Sequence, residues 1–519
     1  MRSFSKVAGF IVGLALAVTW LSGCNAPPSE EAAPGALSAG MQAKGADLQD
    51  PPEVVSHHGV LRTTVVVERR KVWVGDRRLW ALTYNGRYMP PTLRARPGDR
   101  IELAMVNRVQ SKWQGVGADT NLHVHGFHVS PRQPADDIFI SIKPGTTYNY
   151  SYRLPRDLTP GTYWYHSHID MFSAAQVAGG ESGLIVIDGL RKYLPPSLRN
   201  ITEHVIALKD NQIQGDEIKI SPLSIQANTN RTVNGQQNPV IRIRPGETQL
   251  WRLANIGANI YYKLHLKGFT FHVIAQDGYP VHRIYSAKTL IVPAAARYDV
   301  LVQADRAGTA QLETQPFDTG PAGNTFPQVN LATVVTGGRP VARTGVPSVF
   351  GPLVDLGDAT IADRKTMVYT EQASPEKYFI NGKYFDPNRV DFVSRLNTVE
   401  EWTVVNDSEE DHSFHVHTNH FQVMSLNGKA VDPAHSWQET VNILRGQKLV
   451  LRIRFSDFTG RTVLHCHILN HEDMGMMSVL NIVDGHTGQG KGDAPGQGTG
   501  HGMGHGPGHG MGHGMGGEH

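Results

Sequence analysis

The chain predicts an all-β protein of three domains, each a Greek-key β-sandwich or barrel, on three observations. Its apolar runs are short, β-branched or alternating, such as Thr63 to Glu68 and Leu449 to Phe455, as half-buried strands require. Pro-Gly and Asn-Gly pairs punctuate them, while long helical periodicity is scarce. The chain also repeats itself. Asn85-Gly86, Asn234-Gly235 and Asn381-Gly382 stand 149 and 147 residues apart and precede "TLRARPGDRIELAMVN", "VIRIRPGETQLWRLAN" and "VDFVSRLNTVEEWTVVN". A repeat of about 150 residues has the size of a domain, and punctuated antiparallel strands of this kind build sandwiches and barrels.

Taken in order, residues 1–23 open with Arg2 and Lys6 and continue with an apolar run too short to span a bilayer comfortably, the pattern of a cleaved export signal. Leu21-Ser22-Gly23-Cys24 resembles the lipobox of bacterial lipoproteins, in which the cysteine becomes the lipidated first residue. That resemblance implies a membrane anchor at Cys24 and an extracytoplasmic, periplasm-facing place in the bacterial cell envelope. The leader, residues 1–23, has no twin-arginine pair, so metal would be acquired outside the cytoplasm. Residues 24–58, rich in Ala, Pro, Gly and Ser, suit a flexible tether. The three domains are expected over 59–190, 200–340 and 360–485, with a linker at about 335–360. A tail over 486–519 is rich in Gly, His and Met.

Lys and Arg total 49 against 47 Asp and Glu, a net charge of +2. Loss of Arg2 and Lys6 leaves the mature chain near zero, which argues against a nucleic-acid partner. Of the two cysteines, acylation of Cys24 leaves Cys466 without a disulfide partner in an oxidising compartment. A free thiol there needs something to sequester it.

Ten of the 25 histidines fall in four places: "HVH" at 123–125, "HSH" at 166–168, "HSFHVH" at 412–417 and "HCHILNH" at 465–471. On a strand, residues two apart share a face at a spacing of about 7 Å, so each His-x-His pair offers two imidazoles to one cavity. The first and last units hold the pairs, while the middle unit has isolated histidines such as His204, His265, His272 and His282. A site shared between domains 1 and 3 is the expectation. The same alternation sends Cys466 to the face opposite His465 and His467, so thiolate and imidazoles should serve different metal centres. Cys466, His471 and His412 form a His2Cys set, to which Met476 adds a long axial thioether, the donor set of electron-transfer copper. Structural zinc, which takes four tight ligands and has no redox chemistry, fits this pattern poorly.

On these four motifs, over residues of about 59–485, the chain resembles the three-domain multicopper oxidases, the laccase-like family of cupredoxin domains. The resemblance implies four copper ions. Type 1 copper falls on His412, Cys466, His471 and axial Met476; type 2 on His123 and His415; and the type 3 pair on His125, His166, His168, His417, His465 and His467. Domain 2 carries no copper ligand. The third motif departs from the family's His-Pro-Phe-His-Leu-His-Gly at Ser413, Val416 and Thr418, which puts local loop geometry and substrate access in question, not copper binding.

The implied activity is one-electron oxidation of a small phenolic or aromatic compound, or of a metal ion, coupled to four-electron reduction of O2 to water, with a role in copper tolerance. The alternative is a non-catalytic copper carrier of the cell envelope, which would not need a complete set of ligands. Glu472 and Asp136 are the candidate proton relays, with Asp137 competing for the second role; general acid work requires hydrogen-bond reach. The run "NDSEEDH" places Asp407, Glu409, Glu410 and Asp411 before His412. It reads either as a solvated turn or as an acidic porch for Cu(I), Fe(II) or Mn(II). The tail reads either as passive or as a capture site, since thioethers suit Cu(I) and imidazoles Cu(II), nickel and zinc. Met474 and Met477 are suited to packing. A monomer is expected.

Overall fold

The computed structural model describes residues 45–223 and 229–485. The expected export signal, the Cys24 anchor, most of the tether and the tail lie outside the described residues. The tether ends earlier than expected, because Asp47 bridges to Val240 and Glu53–Val55 pairs in parallel with Thr92–Ala95. Three residues held by main-chain bonds and by the Arg94 to Glu53 contact at 2.7 Å carry no side-chain periodicity, which is why composition alone mistook them for tether.

The described residues are dominated by strands. Their α-helices are Ser173–Gly179 and Leu469–Asp473, and no helix among them is long and apolar enough to cross a membrane. In the first unit, β1 (His123–His125) pairs with β2 (Gly161–His166), followed in the sheet by Ser182–Ile187, Thr92–Ala95 and Glu53–Val55. Leu93, Val124 and Ile185 of this sheet share one core with Leu61, Ile101 and Leu103 of a second. That second sheet runs on into the middle unit through the parallel pairing of Glu217 with Trp80. In the third unit, β3 (His412–Val416) lies between Thr440–Ile443 and β4 (Gly460–Cys466), which pairs with Met477–Val483. The long strands bury every second side chain: Leu449, Leu451, Ile453 and Phe455 point inward. Each such burial is worth about 1.5–3 kcal/mol.

The 150-residue repeat has a physical basis in two asparagines per unit. Asn85-Gly86, Asn234-Gly235 and Asn381-Gly382 all adopt positive φ at both positions, from 52° to 75°, the backbone of the tight hairpin turn for which Asn-Gly is preferred. Each turn asparagine then clips the neighbouring strand through both ends of its amide. Asn85 Oδ1 accepts from Val66 N at 2.7 Å and its Nδ2 donates to Thr64 O at 2.9 Å. Asn234 does the same with Ala207 and Val205, and Asn381 with Val368 and Thr366. The asparagines that close the three quoted runs, Asn107, Asn255 and Asn406, each donate to two main-chain carbonyls. Asn406 holds Glu410 O and Ile443 O at 2.8 and 3.0 Å, and so anchors the loop leading into β3.

Candidate metal centre

β1, β2, β3 and β4 bring their histidines to one buried place between the first and third units. His123 pairs in register with His166, and His415 with His465. The eight imidazoles of His123, His125, His166, His168, His415, His417, His465 and His467 are at most 1 % exposed. His168 Nε2 and His417 Nε2 lie 3.4 and 3.1 Å from His465 Nε2, one compact trio. His125, His166 and His467 form a second face, with ring centroids 4.7–5.8 Å apart. His123 and His415 stand beside both, their rings 6.2 Å apart. The middle unit's His204, His265, His272 and His282 are bonded elsewhere, to Asp50, Glu313, Ser286 and Gly351 O.

At Cys466 the alternation of β4 reverses direction. Its Sγ lies 3.5 Å from His412 Nδ1 and 3.8 Å from His471 Nδ1, and those nitrogens are 3.2 Å apart. The single-turn helix α1 (Leu469–Asp473) brings His471 back to the thiol. Met476 is fully buried, and its main chain bonds to Cys466 N and His471 O at 3.0 and 2.8 Å. Tyr378 lies flat on His471, with ring centroids 4.0 Å apart.

These residues suit a bound metal better than they suit one another. Burial holds His123, His125, His166, His417, His467 and His471 well below the usual histidine range, His168 at about 4 and His412 at about 3. They are neutral donors at physiological pH. His123 Nε2, His125 Nδ1, His166 Nε2, His415 Nε2, His417 Nδ1 and both nitrogens of His467 have no hydrogen-bond partner, although an unmet buried polar group costs about 1–3 kcal/mol. Burial also pushes the Cys466 thiol up, so only a bound cation would take the proton's place.

Three carboxylates surround the imidazole cluster. Asp136 Oδ2 lies 2.9 Å from His123 Nδ1 and its Oδ1 accepts from Val124 N at 3.1 Å. Burial pushes its carboxyl well up. Asp137 instead accepts from Gln133 and Phe139 N, away from the imidazoles. Glu472 Oε2 is 3.0 Å from His465 Nδ1 and its Oε1 3.5 Å from His168 Nδ1. Burial opposes its ionisation, but His168 and His465 outweigh that and hold it down, while Asp473 beside it is pushed well up. The third is Glu439, which no motif announces. Its Oε1 accepts from His125 Nε2 at 3.0 Å, and Arg297 of the middle unit pairs with it. Burial would raise its carboxyl; Arg297 and then His415 hold it at about 2.

The acidic run divides. Asp407 and Glu409 are exposed, whereas Asp411 is buried and accepts from Arg445 N at 3.0 Å. Glu410 is 1 % exposed, and its Oε1 lies 3.4 Å from His471 Nε2. Burial, and then Glu371, push Glu410 up to about 9. Neither reading of the run foresaw Glu371, Glu376 and Tyr378 gathering around Glu410 from another hairpin, with Tyr378 donating to Glu376 at 2.7 Å. His412 Nε2 is capped as well, by Ser408 Oγ at 2.8 Å. On the far side, a cavity of about 430 Å3 reaches His168, lined by Ile138, Phe139, Phe172 and Phe385 among others.

Models of the multicopper oxidase family match residues 67–192, 204–325 and 358–486. The chain belongs to the multicopper oxidase family. A multicopper oxidase of Staphylococcus aureus is 26 % identical over 412 residues, covering 77 % of this chain and 83 % of that one. The structure of a multicopper oxidase from Campylobacter jejuni, described as a metallo-oxidase, superposes with a TM-score of 0.73 at 24 % identity, over 85 % of this chain and 96 % of that one. A laccase-like multicopper oxidase from Ochrobactrum sp., with activity towards lignin model compounds, gives 0.72 at 23 %, over 84 % and 100 %. These structures share the all-β cupredoxin fold with this chain. A multicopper oxidase is a copper-dependent oxidoreductase that uses O2 and a reductant, and the carrier reading is not favoured. The third motif's departures are visible here. Thr418, where the family has glycine, sits at φ 70° with its hydroxyl unbonded, a conformation that strains a β-branched residue. Ser413, in place of proline, donates to Ala294 O at 3.4 Å.

Proposed function

We propose that this multicopper oxidase takes its electrons from small metal cations such as Cu(I), Fe(II) or Mn(II), with a role in copper tolerance. The observation that carries this reading is the cover over the Cys466 centre. His471 is closed off by Tyr378 and Glu410 and His412 by Ser408, so a phenol has no exposed imidazole edge to touch. A cation needs only carboxylate oxygens, and exposed Glu376 and half-buried Glu371 lead from solvent to Glu410 against His471. Phenol oxidation would require Tyr378 to move.

On this reading His412, Cys466, His471 and Met476 hold type 1 copper, His123 and His415 type 2, and the trios of His125, His166, His467 and His168, His417, His465 the type 3 pair, four ions in all. Copper, when bound, supplies reversible one-electron transfer and the reduction of O2. The protein's part is to hold those atoms in place and to handle protons. Glu472, within 3.5 Å of both His168 and His465, and Asp136 at His123 are placed to pass them. The cavity at His168 offers a small apolar molecule an approach. The leader sequence supports an extracytoplasmic, Cys24-anchored protein.

The test is O2 uptake by copper-loaded protein with Cu(I), Fe(II), Mn(II) and a phenol, for the natural protein and for Glu410→Gln and Glu371→Gln/Glu376→Gln. Loss of at least about 10-fold in kcat/KM for metal ions, equivalent to about 1.4 kcal/mol, with the phenol unaffected, is expected. Unchanged metal-ion constants would refute the reading.

A further inference from the structure

The middle domain holds no residue of either histidine site, yet it reaches the cluster through one side chain. Arg297 begins the strand Arg297–Gln303 and is wholly buried. Its Nε donates to Thr162 O of β2 at 3.1 Å and its Nη1 to Ala295 O at 3.0 Å, and Nη1 also pairs with Glu439 of the third domain. Gly126, directly after His125, makes room, since a Cβ there would meet Arg297 Nη2 at 2.6 Å. Asp277, also of the middle domain, braces the arrangement by accepting from Arg297 N at 3.0 Å and Thr440 N at 3.3 Å. Three domains therefore meet on one carboxylate.

What that carboxylate touches gives the arrangement its meaning. Glu439 Oε1 accepts from His125 Nε2 at 3.0 Å, and its main-chain oxygen accepts from His415 Nδ1 at 2.9 Å, with Oε2 at 2.6 Å from the same nitrogen. A neutral imidazole binds metal through whichever nitrogen lacks the proton, and the bond made by the other nitrogen decides which one that is. Glu439 therefore turns His125 Nδ1 and His415 Nε2, both without partners, toward the cluster. His125 faces the opposite way from His123 and His166, whose Nδ1 atoms are bonded to Asp136 and Ser167 O and whose Nε2 atoms are left over. A ring set against its neighbours depends on its own outer partner, and that partner depends on Arg297 for its rotamer.

We propose that Arg297, acting through Glu439, is a positioning residue by which the ligand-free middle domain sets which ring nitrogens of His125 and His415 face the metal. The proposal rests on the cluster holding copper. The test compares the copper-loaded protein with Glu439→Gln, Arg297→Met, Arg297→Lys and the double variant Glu439→Gln/Arg297→Met. It measures copper content, the electron paramagnetic resonance of cluster copper, the signal of the Cys466 centre as internal control, and thermal unfolding. Glu439→Gln and Arg297→Met are each expected to weaken cluster copper affinity by about 10- to 100-fold and to alter its resonance while the Cys466 signal holds. The lysine variant should recover part of the loss, and the double variant should lose no more than either single one, as residues acting in series do. A folded variant with the natural spectrum and copper content overturns the proposal, as do additive losses. Should Arg297→Met not fold, Glu439→Asp, which shortens the reach by one methylene, is read in the same way. A natural protein that takes up no cluster copper fails the copper reading instead, so the two failures are distinguishable.

Discussion

The middle unit and the outer two share a scaffold and differ in what hangs from it. All three use the Asn-Gly clip and a closing asparagine that ties two main-chain carbonyls. Where the outer units carry imidazoles, the middle one carries buried arginine and carboxylate groups. Arg252 pairs with Asp299 at 3.0 Å and Glu203 at 3.0 Å, and Arg94 of the first unit joins the same glutamate at 2.8 Å. The difference teaches that the repeat is a neutral framework. Its outer copies turn unsatisfied buried nitrogen toward one another, whereas its middle copy pairs buried arginines with carboxylates of its own and of the neighbouring units.

This contrast can be broken first at Cys466. Cys466→Ser removes the sulfur donor and is expected to abolish turnover with every reductant while cluster copper stays in place, read by O2 uptake and copper content. Next, Glu472→Gln should lower kcat by about 10²–10⁴-fold, the range for a positioned proton donor, with both copper signals kept. In the middle unit the effect should move from turnover to stability. Arg252→Met leaves the buried Asp299 without its cationic partner and should cost about 3–5 kcal/mol, seen as a shift of the denaturation midpoint with unaltered copper spectra.

Acid sharpens the same point. Burial opposes ionisation of Glu203, but Arg252 and Arg94 hold its carboxyl below the ordinary range. A depressed carboxyl adds stability that is fully present above its unfolded value of about 4.3 and is lost as pH falls through the folded one. Glu203→Gln should therefore be less stable at pH 7, and its deficit should shrink below about pH 4 in acid-unfolding curves. The smallest effect belongs to Thr418→Gly, where relief of the positive-φ strain is expected to raise stability by up to about 1 kcal/mol.

Much of this was legible in the chain because strands obey a period of two. That rule separates Cys466 from His465 and His467 by spacing alone and brings paired histidines to one face. The Asn-Gly repeat likewise carried the all-β architecture. Glu439 was not legible: it stands 24 residues from His415 in "SWQETVNI", and its importance arises because Thr440–Ile443 pairs with β3. Arg297 was further still, since only the packing of three domains brings it to that carboxylate. The approach of Glu371 and Glu376 to Glu410 also depends on a hairpin fold that no local spacing encodes. Asp136 could be separated from Asp137 only by seeing which one turns to His123.

The three Asn-Gly turns have a consequence for how this protein ages. In a loose peptide this dipeptide is where the side-chain amide is attacked by the next main-chain nitrogen and converted to aspartate. Here both ends of each amide are bonded to a neighbouring strand and the pair is held in a fixed turn, so the attacking geometry is out of reach. The bonds that set strand register also slow a chemical clock, and a turn that opens repeatedly would keep a permanent record of it as a new negative charge.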